Sequence, residues 1–159
     1  MDGLDLDVVD GRRILVGELS RDWRWVQPDA DRFVLFVAAD ASSASDEVLA
    51  SYAAAAISAG CVYVCVWGQD CSRVHDCFDI ADLELSDWSA DDAVVMSSLH
   101  PEESLVEALY FALELAIPED EPPDMRTAVV AAVQQPWLEE TRSLLNDQEL
   151  LRRLWSGDG

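Results

Sequence analysis

The chain has 159 residues, 50% of them hydrophobic, and a formal net charge of −22 from 32 acids against 10 cations, every one an arginine. That length suits one domain with a proper core, and the charge excludes a phosphate-tracking nucleic-acid binder or a ligand of anionic membranes, since both need clustered Lys and Arg. No run reaches the ~18 apolar residues of a membrane span, and the acidic opening Met1-Asp2-Gly3-Leu4-Asp5 lacks the cations of a secretory signal, so a cytoplasmic protein is expected.

Leu4-Asp5-Leu6-Asp7-Val8 alternates as a half-buried strand does, Asp10-Gly11 is a hairpin-turn signal, and Ile14-Leu15-Val16 returns as a second strand. The stretch 20–32, with Trp23, Trp25 and Pro28, has no clean period and reads as a connection whose tryptophans pack on the core. Arg32 to Ala39 is a continuous apolar run after its first residue, which predicts a strand buried on both faces. Ser45 as cap, Asp46-Glu47 in the first turn and Gly60 at the end predict a helix over 46–59. Cys61 to Trp67 is the next buried strand, and Asp70 opens a short helix to about Phe78. Ala93 to Met96 is expected as a third core strand and Ser104 to Ala116 as a helix that stops before Pro118. Residues 119–123 form a linker, Thr127 to Val133 the fourth core strand, and Pro136 starts a helical region to about Trp155 with a break at Asn146-Asp147.

Alternating strands and helices imply a mostly parallel sheet covered on both faces. The expected fold is therefore a small, doubly wound, flavodoxin-like or Rossmann-like α/β domain spanning 1–159: a hairpin and connection over 1–31, a core over 32–135, and a helical region over 136–159. With the first core strand in the middle, the ligand crevice is expected between Asp40 and a Ser97-Ser98 turn.

Ligands of such folds sit at the carboxyl ends of the strands, which singles out Asp40, Ser42, Ser43, Gly68, Gln69, Asp70, Ser97, Ser98 and His100. These acids, hydroxyls and imidazole suit a polar small molecule or a divalent ion, but they are also ordinary turn and cap residues. Asp40-Ala41-Ser42-Ser43-Ala44-Ser45 contains no glycine, so no phosphate cradle is expected, and no Gly-x-Ser-x-Gly elbow exists. A Ser97, His100, Asp40 triad has only composition behind it. Cys61, Cys65, Cys71, His75 and Cys77 lie close in sequence, yet their spacing is not that of zinc ligands. Cys71 in a first helical turn near His75 is a sharper candidate, as an acidified nucleophile, against a reading as ordinary packing. Neither a metal nor another cofactor is expected, and no disulfide.

The segment Trp67-Gly68-Gln69-Asp70-Cys71-Ser72-Arg73-Val74-His75-Asp76-Cys77-Phe78-Asp79, followed by His100-Pro101-Glu102-Glu103-Ser104-Leu105, resembles an uncharacterised family of small bacterial α/β proteins. Its marks are Trp-Gly, His-Asp-x-Phe-Asp and His-x-x-Glu-Ser-Leu-x-Glu-Ala-Leu, here across residues 30–118. The resemblance implies a bacterial source and the fold, with no reaction attached. It directs attention to Trp67, Asp70, Arg73, His75 and Asp76, for which the plain reading is a polar cap over the strand ends, with Arg73 and Asp76 paired at i, i+3.

Near the C-terminus, Leu150, Leu151, Leu154 and Trp155 form an apolar cluster that either completes the core or docks on a partner or second copy. Two classes of function remain. One is a non-catalytic interaction module, an adaptor, immunity-type inhibitor or antitoxin-like partner of a basic protein, with DNA mimicry as its limit; codon usage or a saline host also explains the charge. The other is a small-molecule sensor or enzyme built on the strand-end residues.

Overall fold

The computed structural model describes residues 4–9, 12–20, 23, 25, 32–85, 95–116, 127–147 and 149. Six strands form one sheet: β1 (Leu4–Val9), β2 (Arg12–Glu18), β3 (Phe33–Ala38), β4 (Cys61–Trp67), β5 (Met96–His100) and β6 (Ala128–Val133), in the order β1-β2-β6-β3-β4-β5. Only β1 runs against its neighbour, pairing β2 with Val9 opposite Arg12; every other pairing is parallel. The expected hairpin is therefore present, and its return strand joins the main sheet beside β6.

All six residues of β3 and of β6 are buried, as central strands covered on both faces must be. Their side chains alternate between two cores. Leu35, Val37, Val64 and Val66 face the layer of α1 (Asp46–Ala59) and α2 (Cys71–Leu85), which contributes Leu49, Tyr52, Val74 and Phe78. Val34, Phe36 and Tyr63 face α3 (Leu105–Tyr110, continued by a π-helical turn to Leu115) and α4 (Trp137–Asn146). Each fully buried Leu, Val or Phe here is worth about 1.5–3 kcal/mol. The tryptophans of the connection pack as expected: Trp23 and Trp25 meet Tyr52 edge-on at 5.7 and 6.1 Å, and Tyr52 meets Phe78 at 6.2 Å.

Three expectations need correction. The helix after β4 runs to Leu85 rather than ending near Phe78, because the buried series Cys71, Val74, Phe78, Ala81 continues the helical period beyond it. The third core strand lies at 96–100, so Ser97 and Ser98 are strand residues rather than a turn; Ala93 and Val94 fall outside the described residues. As the edge strand, β5 is paired on one side only and its residues are mostly half-buried, so it needs no continuous apolar run. Finally, β4 separates β3 from β5, and the order reverses between β3 and β6. The crevice of a doubly wound sheet therefore lies between Asp40 and Gln134.

Candidate functional site

The carboxyl ends of β3 and β4 are drawn tightly together. Gly68 has φ +119°, and a Cβ there would lie 1.9 Å from the carbonyl oxygen of Ala39, so only glycine allows the approach. Beyond it the loop 39–44 is fastened on both sides. The N–H of Asp40 donates to Gln134 Oε1 (2.9 Å) across the order reversal, and Asp40 Oδ1 accepts the N–H of Ser42 (2.9 Å). The Ser42 hydrogen bonds hold the Asp40 carboxyl below the usual carboxylate range.

Arg73 closes this loop from α2. Its guanidinium donates to the carbonyls of Ala41 (2.9 Å) and Ala44 (2.7 Å) and to Asp46 Oδ1 (2.7 Å), with Asp70 Oδ2 at 3.9 Å. The Asp46 hydrogen bond also raises the guanidinium's pKa above its ordinary value. The expected Arg73–Asp76 pair is thus replaced by Arg73–Asp46, since the two loop carbonyls draw the side chain back toward β3. Asp40, Ser42, Asp70 and Arg73 form one group whose polar atoms bind the chain's own loop.

A second group lies where α2 meets β5. Ser97 Oγ donates to Asp79 Oδ1 (3.3 Å), and with its single proton so placed it accepts from His75 Nε2 (2.9 Å). His75 Nδ1 lies 3.6 Å from both Asp76 Oδ1 and Asp79 Oδ2. His75, Asp76 and Asp79 offer one nitrogen and two carboxylate oxygens within 4.8 Å of one another, and these are the residues with a geometry for a metal ion among the described ones. Both acids are largely exposed.

The third group lies on the opposite face, because Ser98 follows Ser97 in the pleat. Ser98 Oγ is 2.8 Å from His100 Nε2, and His100 Nδ1 is 2.9 Å from Glu103 Oε1 but out of line for a hydrogen bond. His100 is buried against Phe111, their ring centroids 4.8 Å apart. Tyr63 reaches Ser98, and burial raises its phenol's pKa. Trp67 packs edge-on to Trp137 (5.2 Å), and its Nε1 donates to the carbonyl of Glu103 (2.7 Å).

Ten of the residues singled out in sequence thus fall into three groups: Asp40, Ser42, Asp70 and Arg73; His75, Asp76 and Ser97; Trp67, Ser98 and His100. Ser97 and His100, two members of the triad weighed in sequence, lie on opposite faces of the sheet. Asp79 and Glu103 were missed, although their spacings of four from His75 and three from His100 are visible in sequence. Gln134 and Tyr63 gave no such signal. Burial raises the thiol pKa of Cys71, opposite to an acidified nucleophile, and does the same for Cys61 and Cys77. Leu150, Leu151, Leu154 and Trp155 lie outside the described residues.

A family model described as a domain of unknown function (DUF7684) matches residues 18–148, most of the chain, which therefore belongs to that family. No curated protein and no solved structure matches it.

Proposed function

We propose that this DUF7684 chain is a non-catalytic protein-interaction module that uses its acidity to meet a basic partner protein, in the manner of an adaptor, an immunity-type inhibitor or an antitoxin, with DNA mimicry as the limiting form. The observation that carries this reading is that polar groups at the crevice are taken up by the chain itself. Where a doubly wound sheet ordinarily takes a small ligand, Gln134 bonds Asp40 and the Arg73 guanidinium binds the loop carbonyls. Polar groups that would hold a ligand hold the scaffold, while a charge of −22 remains to act at the surface. Such a field speeds and selects encounter with a cationic partner. The cytoplasm, where partners and thiols of this kind coexist, is the compartment we assign.

The test is kinetic. Association with a basic protein retained from a host extract should slow steeply as salt rises, because the Debye length falls from about 30 Å at 0.01 M to about 8 Å at 0.15 M. A rate that is flat across that range removes steering and the proposal with it. A second reading, a small-molecule sensor or enzyme, is favoured by one observation, the Ser98–His100–Glu103 contact beside Tyr63. Turnover or ligand binding lost in Ser98→Ala and His100→Asn at unchanged stability would establish it instead.

A further inference from the structure

Charge selects the sign of a partner but not its shape, and the outer face of α2 carries information about shape. Its buried seam of Cys71, Val74, Phe78 and Ala81 faces the sheet. On the other side Asp76, Ile80 and Leu83 follow one another at i, i+4 and i+7, with Asp79 and Glu84 beside them. Ile80 is 53% exposed and Leu83 42%, and Leu85 at the helix end is 51% exposed. Half of the large hydrophobic residues exposed among the described ones therefore lie within six positions of one helix, between carboxylates. Scattered single apolar residues need no explanation, but a contiguous, acid-flanked stripe is what an interaction surface looks like.

The charge decides among occupants. A second copy would bring Asp76, Asp79 and Glu84 against their own kind and double a net charge of −22, an arrangement that repels. The arginine of this helix, Arg73, is bound to its own loop and offers no compensation. A complementary surface must instead present apolar residues at helical spacing with cations on both flanks.

We propose that the outer face of α2, formed by Asp76, Asp79, Ile80, Leu83 and Glu84, docks a cationic amphipathic helix of the partner protein. The partner's apolar residues lie over Ile80 and Leu83, and its Lys or Arg side chains meet the three carboxylates. This rests on the reading of the chain as an acidic interaction module, and specifies where and how it binds.

The probe is a fluorescein-labelled amphipathic Leu/Lys peptide of about five helical turns, compared with a scrambled peptide of the same composition. Fluorescence anisotropy with the full chain should show the amphipathic peptide bound at least about tenfold more tightly than the scrambled one, a gap of ~1.4 kcal/mol. The double variant Ile80→Asp, Leu83→Asp should lose that preference while its circular dichroism and thermal melt are retained, both positions being exposed. Asp76→Asn with Asp79→Asn should chiefly lower the association rate and its salt dependence. Equal binding of both peptides overturns the docking helix while leaving acid-steered recognition intact. An undiminished preference in the Ile80→Asp, Leu83→Asp variant moves the site off α2 and overturns it as well. Binding of neither peptide at low salt sinks both this inference and the reading beneath it. A dimer in light scattering that dissociates on Ile80→Asp would give the face to a second copy instead.

Discussion

Arg73 holds three partners within residues 41–46, and its removal leaves the Ala44 carbonyl and the Asp46 carboxylate without it. Arg73→Ala should lower stability, because charge-assisted bonds to the loop are lost, although water screens them in part, and the loss should read as a lower Tm. Gly68→Ala should be worse, because a backbone carbonyl 1.9 Å from the new Cβ cannot step aside as a side chain could. We expect ~3 kcal/mol or more, or failure to fold, in expression and melting trials. Burial also gives the thiols a pH signature. Cys61 and Cys71 titrate above their ordinary range in the folded protein, so their contribution is complete below the unfolded-state value of about 8.5 and fades as pH rises through it. The denaturation midpoint should therefore fall between pH 8 and pH 10, less so in Cys61→Ala, and an unchanged slope in that variant would locate the effect elsewhere. At this scale the sequence made the candidate residues visible but not their partners. Ser97 and Ser98 are chemically identical neighbours, and nothing but strand register decides that one bonds His75 and the other His100.

Elements buried on both sides were the most legible. β3, β4 and β6 are continuous apolar runs because both faces need covering, and α1 has its cap at Ser45, whose Oγ accepts the N–H of Val48 at 3.2 Å. The elements misplaced in sequence are those at the margin, β5 and the second half of α2. There the residues must satisfy a core on one side and solvent on the other, so Asp79, Asp82 and Glu84 break up the hydrophobic signal while Phe78 and Ala81 remain buried. A substitution separates the two helix lengths. If α2 ended at Phe78, Ala81→Pro would be a tolerated loop change; within the observed helix it removes a backbone bond and should cost about 3 kcal/mol, measurable by urea denaturation. A midpoint within error of the parent would return the helix to its shorter limits.

For the whole molecule, the same charge that draws a partner strains the fold, since acids crowded onto a compact body repel. Raising sodium chloride from low to physiological concentration should increase Tm by screening that repulsion, and a Tm that falls with salt would mean that attractive pairs dominate. The sheet order, which sequence left open, depends on pairings between distant segments that no local pattern encodes. One consequence concerns synthesis. The seam strand β6 lies between β2 and β3, parallel to both, with Ile14 and Val34 each opposite Val129. A chain emerging from the ribosome therefore makes its hairpin early and its β3–β4 pairing next, yet has nothing to join the two halves until more than a hundred residues have followed β2. Until then β2 and β3 expose the edges that β6 will later occupy, which makes the nascent chain prone to mispairing and a natural client of chaperones. Arrest peptides placed at successive lengths should register pulling force only once β6 has cleared the exit tunnel, and force released by a chain ending before Ala128 would show that the halves assemble without their seam.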